Sequence, residues 1–230
     1  MSQSSPDLEA QLAVLLSAAR SEIDVARRHR VFCNRNLRME QIELIGFDMD
    51  YTLALYHQDK LEQLSIDLTL GKLIENRGYP AEIRSLSYDS ARAIRGLVVD
   101  RERGSVFKMD RHAHVGRVYH GDHALSRDER RDLYRNEKIN LSQDRYAWID
   151  TLFGLPEAVM YIALVEFLDR ACTTSRVDYS KLFDDIRASI DEAHRDETLK
   201  SVIKSDLAGY IIKDLHLAET LHKMRSSWKK

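Results

Sequence analysis

The sequence predicts an α/β protein in which an early buried strand is followed by a short β-rich region and a helical second half. Ile42–Phe47 is almost wholly apolar and rich in β-branched residues, as is typical of a strand buried in a parallel sheet. Residues 96–100 and 105–110 flank Arg103-Gly104 and predict a hairpin, with 115–119 as a third strand. From Pro156 onward, apolar residues recur at helical spacing almost to the end.

Helix signals precede and follow the predicted strands. Ser5-Pro6-Asp7 combines a capping hydroxyl, a proline suited to the first turn and an acid, and an apolar stripe from Leu8 to Ile23 follows it. A second helix is predicted from Ile66 to Asn76, closed by Gly78 and Pro80. The helices predicted in the second half cover residues 158–168, 179–194, 198–212 and 215–226.

Composition excludes several classes of protein. With 230 residues, 43% hydrophobic, and only 3 Pro and 9 Gly, the chain is neither disordered nor fibrous. The 35 basic and 37 acidic residues leave a net charge of −2, which gives no overall attraction to nucleic acid or anionic lipid. Cys33 and Cys172 cannot form a disulfide framework, and the longest apolar run, 158–165, is far shorter than the ~20 residues of a membrane span. We therefore expect a soluble cytoplasmic protein with neither nucleic acid nor membrane as partner.

Two aspartates follow the first predicted strand. Asp48 and Asp50 are separated by one residue, and like charges this close are costly unless a cation or a reaction uses them. Mg²⁺ takes one or two carboxylates together with phosphate oxygens. One carboxylate can attack phosphorus and the other can protonate the leaving oxygen, while the hydroxyl of Thr52 can tie down the loop. The pattern favours phosphoryl chemistry.

The segment Phe47-Asp48-Met49-Asp50-Tyr51-Thr52-Leu53 resembles the first motif, DxDxT, of the haloacid dehalogenase superfamily of phosphohydrolases. The wider segment from Gly46 to Ala54 is similar to the cytosolic purine 5′-nucleotidases that prefer IMP and GMP. Segments in the order of that family continue the resemblance over roughly residues 30–226, namely 30–35, 39–40, 88–90, 95–98 and 150–157.

The resemblance implies a fold and a domain order. The fold would be a Rossmann-like haloacid dehalogenase core, incomplete in this chain, with an inserted α+β cap region and a helical N-terminal extension. Residues 1–40 would form the extension, 41–56 the first core strand and catalytic loop, 57–195 the cap, and 196–230 helices leading back to the core. The family also leads us to expect self-association into a homo-oligomer.

By the same resemblance, Asp48 is the nucleophile, Asp50 the general acid and base, and both contribute to a Mg²⁺ site. The substrate would be a purine nucleoside 5′-monophosphate, hydrolysed through an aspartyl-phosphate. The positions that match the nucleotide contacts of the family are Arg187, Asp191, His194, Lys200 and His123. Three of these, Arg187, Asp191 and His194, are spaced i, i+4, i+7 and share one helix face, which is also the spacing of a solvated polar face.

One segment departs from the family. Where the family has His-Gly-Phe-Asn, this chain has His120-Gly121-Asp122-His123, so Asp122 replaces an aromatic ring that would stack on the base. The histidines at 112, 114, 120 and 123 raise the alternative of a zinc site, which their loose spacing and the absence of a nearby cysteine disfavour.

The later motifs of the superfamily, a Ser or Thr after a second strand, a Lys and a further acidic pair, have no clear counterpart in the sequence. Thr173-Thr174-Ser175 follows a helical run and Asp184-Asp185 lies within a predicted helix. We therefore expect an N-terminal part of a 5′-nucleotidase that is inactive alone. The alternative is a catalytically inactive binding or assembly module that keeps the N-terminal half of the fold.

Overall fold

The computed structural model describes residues 42–172 and 176–227, with isolated positions 27, 32 and 38. The chain divides into two units, residues 1–46 and 47–230, and the second contains all the elements that follow. The helix predicted from Leu8 to Ile23 lies outside the described residues.

The prediction of a strand at residues 42–47 is wrong. Ile42–Phe47 forms neither strand nor helix, and Leu44 is 86% exposed. A segment becomes a strand only when its N–H and C=O groups pair with a neighbouring strand, and this segment forms no such ladder with any residue that the structure describes. An apolar, β-branched sequence is therefore not sufficient here.

The predicted hairpin is confirmed and belongs to a five-stranded antiparallel sheet. The strand order is β5 (His123–Ala124), β4 (Val115–His120), β3 (Ser105–Met109), β2 (Leu97–Asp100) and β6 (Tyr146–Ile149), and all strand pairs formed by the described residues are antiparallel rather than parallel. Gly104, at φ +67°, closes the β2–β3 turn, where an added Cβ would lie 2.7 Å from the Tyr179 ring.

Helices cover one face of this sheet. The predicted helix at 66–76 is longer than expected because its buried stripe begins at Leu61, and it ends at Gly78 as predicted. The apolar helix predicted at 158–168 and the amphipathic one at 179–194 are both confirmed. These helices are α1 (Gln58–Arg77), α3 (Leu155–Ala171) and α4 (Tyr179–Arg195), and the short α2 (Arg127–Tyr134) lies against the other face.

The helix predicted from Thr198 to Ile212 is interrupted. Asp206 leaves helical geometry, and its carboxylate accepts the Gly209 N–H at 3.0 Å, so a side-chain cap replaces the helical hydrogen bond. The region contains α5 (Thr198–Ser205), α6 (Leu207–Tyr210) and β7 (Ile211–Ile212), which pairs with β1 (Leu55–Tyr56). The last predicted helix is confirmed as α7 (Leu217–Ser227).

The sheet separates two apolar cores. Val99 and Val106 face the larger core between the sheet and α1, α3 and α4, whereas Val98 and Phe107 face the smaller one beneath α2. None of the helices that the structure describes is both long and apolar enough to cross a membrane.

Candidate active site

The two aspartates singled out by the sequence lie in a tight turn. The Met49 carbonyl accepts the N–H groups of Leu53 and Ala54 at 3.0 and 2.8 Å, and Tyr51 N–H donates to the Ala54 carbonyl at 2.8 Å. Tyr51 has φ +57°, a left-handed conformation that a residue with a side chain adopts only when its surroundings hold it there. The turn therefore fixes the positions of the residues on both sides of Met49.

Asp50 is held by a hydrogen bond from Tyr56 of β1. The Tyr56 hydroxyl donates to Oδ1 of Asp50 at 2.6 Å. Burial and this hydrogen bond raise the pKa of Tyr56 to about 12, so the hydroxyl remains protonated and can donate throughout the neutral range. The second carboxylate oxygen, Oδ2, receives no hydrogen bond from the described residues and is available to a ligand.

An aromatic cluster supports the turn. The ring of Tyr51 packs edge-on against Tyr56, with ring centres 5.3 Å apart, and against Phe153 at 5.4 Å. Such aromatic pairs stabilise a fold by more than the burial of their apolar area accounts for. The cluster connects the aspartate turn to the segment that precedes α3.

A cleft of about 220 Å³ opens beside this turn. Its walls come from the turn itself, from α1, from the segment leading into α3, and from α4 and α5. The apolar part includes Tyr51, Phe153 and Pro156, and Ile190 and Leu199 lie on the helical side. The polar and charged lining residues are Asp50, Tyr56, Glu62, Ser65, His194 and Lys200.

The charges in the cleft have both signs. Asp50 and Glu62 are acidic, and Glu62 is nearly buried, with Oε1 accepting the Gln58 amide at 2.7 Å. His194 and Lys200 are exposed and provide nitrogen donors. Both residues lie far along the chain from the aspartates but line the same cleft. A cleft with a carboxylate, nearby nitrogen donors and apolar walls can accommodate a small anionic organic ligand.

Asp48 and Thr52 lie on the exposed side of the same turn. Asp48 Oδ1 accepts the N–H of Met49 at 2.9 Å, and neither Asp48 nor Thr52 lines the cleft. The hydroxyl of Thr52 makes no hydrogen bond with the described residues. The hydrogen bonds that hold the turn, which the sequence led us to expect from Thr52, are made by backbone groups instead.

Arg187 lies outside the cleft because Glu157 holds it. Nε and Nη2 of Arg187 donate to the two carboxylate oxygens of Glu157 at 2.6 and 2.7 Å, and the guanidinium also lies over the Phe183 ring. Glu157 is 3% exposed, and burial raises its pKa to about 7, although the Arg187 charge acts in the opposite direction.

The remaining predicted contacts are separated from the cleft. Asp191 is exposed and does not line the cleft, and His123 lies on β5, where Nε2 is 3.5 Å from Glu129 Oε1. Asp122 forms an ion pair with Arg92. Thus the structure brings together Asp50, His194 and Lys200, but not Arg187, Asp191 or His123.

Three residues of the site escaped the sequence analysis. Tyr56, Glu62 and Phe153 line the cleft, yet no motif gives them a role. Tyr56 follows Asp50 by six residues, and no local pattern of the sequence marks it. Phe153 lies in the 150–157 segment that carries part of the resemblance, but its contact with Tyr51 depends on the tertiary structure.

Among the described residues, no group of three or more His, Cys, Asp or Glu side chains is placed to hold a metal ion. His112 and His114 are neighbours, with ring centres 6.2 Å apart, and the backbone N–H groups of both donate to Asp110. His120 pairs with Asp169 at 2.7 Å. The carboxylates of Asp48 and Asp50 are hard oxygen donors, and the Asp50 carbonyl takes part in no hydrogen bond with the described residues. This donor chemistry fits Mg²⁺, which commonly binds one or two carboxylates and keeps several waters.

Comparison with known proteins identifies relatives. The model of the 5′ nucleotidase family matches residues 31–230. The chain is also 32% identical over 206 residues to a 5′-nucleotidase domain-containing protein of Dictyostelium discoideum, in a match that covers 87% of this chain and 34% of that protein. The chain thus spans about a third of the length of this relative. These two matches show that the chain belongs to the 5′ nucleotidase family.

Proposed function

We propose that this chain contributes the nucleophile and part of the substrate cleft of a Mg²⁺-dependent 5′-nucleotidase acting on purine nucleoside 5′-monophosphates. The observation that carries the proposal is the placement of Asp50, His194 and Lys200 around one cleft, beside the turn that holds Asp48. Membership of the 5′ nucleotidase family supports the reaction class. The purine preference and the haloacid dehalogenase core are supported by the resemblance of the aspartate motif and of the further segments between residues 30 and 226.

The proposed reaction has two steps. In the first, a carboxylate oxygen of Asp48 attacks phosphorus, the bond to the nucleoside 5′-oxygen breaks, and Asp50 gives its proton to that oxygen. In the second, Asp50 takes a proton from a water molecule, which attacks the phosphorus of the aspartyl-phosphate and releases inorganic phosphate. Asp48 and Asp50 then return to their starting states.

The side chains around the cleft have distinct tasks in this proposal. Tyr56 orients Asp50 through the 2.6 Å hydrogen bond and leaves Oδ2 directed to the substrate. Lys200 and His194 bind the nucleotide as nitrogen donors, while Tyr51 and Phe153 offer apolar surface to its sugar or base.

Asp48 and the Asp50 carbonyl are the groups that would hold Mg²⁺. When bound, the ion would neutralise charge that develops on the phosphoryl oxygens. The protein residues would then have to position the phosphorus in line with Asp48 and keep Asp50 within reach of the leaving oxygen.

The test is phosphate release from a panel of nucleoside monophosphates, measured on the 230-residue chain and on the longest product of its gene. Asp48→Asn should lower kcat at least about a thousandfold in whichever form is active, because the amide is a poor nucleophile. Asp59→Asn, an exposed carboxylate at the start of α1, is the matched control and should retain full activity.

Equal activity of wild type and Asp48→Asn would refute the proposal. If neither form releases phosphate, but both bind a nucleoside monophosphate with equal affinity, the inactive binding module becomes the better reading. Adding a nucleoside as acceptor separates hydrolysis from phosphate transfer, because transfer produces a new nucleotide instead of free phosphate.

A further inference from the structure

A groove on the side of the sheet that faces the larger core takes no part in the proposed reaction. It has a volume of about 460 Å³ and shares no lining residue with the aspartate cleft. Its floor is apolar and consists of Leu97 on β2, Val106 on β3 and Ile162 on α3, all of them buried. Lys108 and Arg117 add two cationic side chains to its lining. We call this feature the Lys108 groove.

An irregularity in the sheet brings the two cationic residues together. The register of β3 and β4 shifts between Phe107 and Met109, so that Lys108 lies opposite two residues of β4, Gly116 and Arg117. The strands approach closely at this point, because a Cβ on Gly116 would lie 3.0 Å from the Lys108 carbonyl oxygen. The ammonium and the guanidinium therefore stand side by side at one end of the groove.

Neither of these two cations has a carboxylate partner among the residues that the structure describes. Lys108 Nζ donates to the backbone carbonyl of Arg95 at 2.8 Å, and Arg117 forms no hydrogen bond or ion pair with any of those residues. Both side chains are exposed. Like charges opposite each other on neighbouring strands destabilise a sheet. An anion bound between them would remove this repulsion.

The other charged groups around the groove are already paired. Arg92 lines the groove, forms an ion pair with Asp122 and donates to the Gly121 carbonyl at 3.0 Å. Glu166 of α3 accepts the Asp122 N–H at 2.9 Å. Asp122, the residue that departs from the family pattern, thus neutralises a cation at the rim. The unpaired positive charge of the groove comes from the two exposed cations alone.

The apolar surface continues from the floor to the rim. Ile94 lines the groove and is 55% exposed, so an apolar side chain is available at the opening. The half-buried ring of Tyr119 lies opposite Val106 in the β3–β4 pair and adds further apolar lining. A concave apolar surface with a few polar groups at one end is typical of small-molecule sites, which span roughly 300–1,000 Å³.

We propose that the Lys108 groove binds a small amphipathic carboxylate, an apolar hydrocarbon body that carries one carboxylate group. The carboxylate would lie between Lys108 and Arg117, since a guanidinium and a carboxylate form two parallel hydrogen bonds and the ammonium adds a second charge. The hydrocarbon body would cover the floor formed by Val106 and Ile162. Two neighbouring cations above an apolar floor favour a single anionic head group over an anion that is charged along its whole length.

This site is independent of the proposed reaction. The two clefts have different lining residues, and Asp48 lies in neither lining. Asp48→Asn, which should abolish phosphate release, should therefore bind the carboxylate as wild type does. A chain that releases no phosphate can still bind the carboxylate, and a chain that binds no carboxylate can still release phosphate, so the two proposals fail separately.

The experiment is calorimetric titration of decanoate into the 230-residue chain and into the longest product of its gene. We expect saturable binding at one site per chain in both forms. Decanol lacks the charge and acetate lacks the hydrocarbon body, so each should bind at least tenfold more weakly than decanoate. This comparison shows whether the head group and the body are both recognised.

Charge-removing variants locate the head group. Lys108→Gln/Arg117→Gln should raise the Kd for decanoate at least tenfold, because the carboxylate loses both of its partners. Lys60→Gln/Arg84→Gln removes the same charges from exposed positions elsewhere and should leave the Kd nearly unchanged. Circular dichroism would establish that each variant is folded.

A second pair of variants locates the hydrocarbon body. Ile94→Gln removes the apolar rim and should raise the Kd for decanoate severalfold, whereas Leu215→Gln, at another exposed apolar position, should not change it. The proposal is overturned if decanoate does not bind, if acetate or decanol binds as tightly, or if a control variant weakens binding as much as its partner variant. Binding to the 230-residue chain but not to the longer product would also overturn it, because another segment would then occupy the groove.

Discussion

At the scale of single residues, the contact between Tyr56 and Asp50 is the one that most affects the candidate site. Asp50 lies at the edge of a cleft, and only one of its carboxylate oxygens receives a hydrogen bond from the described residues. A hydrogen bond to a charged group contributes about 1.5–3 kcal/mol when it is well formed. In the proposed reaction, this contact would determine how well Asp50 is oriented for proton transfer.

In the proposed reaction, Tyr56→Phe should lower the kcat of the active form about tenfold, with a smaller change in KM, because it would misorient Asp50 as proton donor and leave the cleft in place. The size of the loss should be constant between pH 6 and 9, since the pKa of Tyr56 is about 12. Steady-state kinetics over that pH range provide the measurement.

Tyr119→Phe is the matched control for Tyr56→Phe. Tyr119 lies on β4, it is not part of the aspartate cleft, and its hydroxyl forms no hydrogen bond with the described residues. Its loss should not alter kcat. An equal decrease in both variants would contradict the role given to Tyr56.

At the scale of elements, an ion pair between a buried carboxylate and a half-exposed guanidinium joins α3 to α4. Glu157 and Arg187 make two short hydrogen bonds, and the carboxylate is almost completely buried. Such a pair adds little net stability compared with apolar residues, but removing one partner is costly because it strands the other. The pair also explains why Arg187, expected at the nucleotide, points elsewhere.

The stability of wild type relative to Glu157→Gln should fall as pH rises from about 4.5 to about 7. Burial raises the pKa of Glu157 from 4.5 to about 7, so the folded chain binds the proton more tightly than the unfolded chain does. Its contribution to stability is therefore complete below about pH 4.5 and is lost as pH passes through about 7. Urea unfolding at a series of pH values measures the difference, and a difference that rises with pH would contradict this assignment.

A substitution of Arg187 tests the same ion pair by removing the positive charge instead of the carboxylate. Arg187→Gln should destabilise the fold by about 3–5 kcal/mol at pH 8, where Glu157 is charged, and by less at pH 5, where it is protonated. The control Arg84→Gln breaks an exposed contact of 3.7 Å with Glu75 and should cost under about 1 kcal/mol at either pH.

At the scale of the whole molecule, one sheet supports both apolar cores. Val98 faces the smaller core and Val99 the larger one, so β2 is buried on both faces. Damage to one core must therefore alter the strands that form the other. We expect the two cores to unfold together.

Phe107→Ala in the smaller core and Ile186→Ala in the larger core should each destabilise the fold by about 2–5 kcal/mol, because both side chains are fully buried. Each variant should show a single unfolding transition, recorded in parallel by far-UV and near-UV circular dichroism. Leu133→Ala, at an exposed position of α2, is the control and should cost under about 1 kcal/mol. Two separate transitions would show that the cores are independent.

Local patterns in the sequence determined much of the fold and indicated the family to which the chain belongs. The hairpin at Gly104 and the helices at 155–171 and 179–195 follow from glycine conformation and from spacings of two or 3.6 residues, which act between near neighbours. The aspartate motif likewise indicated the family without any coordinates. Such patterns can be interpreted without a structure because they depend on residues only a few positions apart.

Only the tertiary structure decided which side chains meet. Packing places Asp50, Tyr56, His194 and Lys200 around one cleft. Arg187 pairs with Glu157 instead of lining that cleft. Ile42–Phe47 belongs to none of the sheets formed by the described residues. These outcomes depend on how α1, α4 and α5 pack together and on whether a strand finds a partner. Both are competitions between residues far apart in the chain, and no local spacing encodes their result.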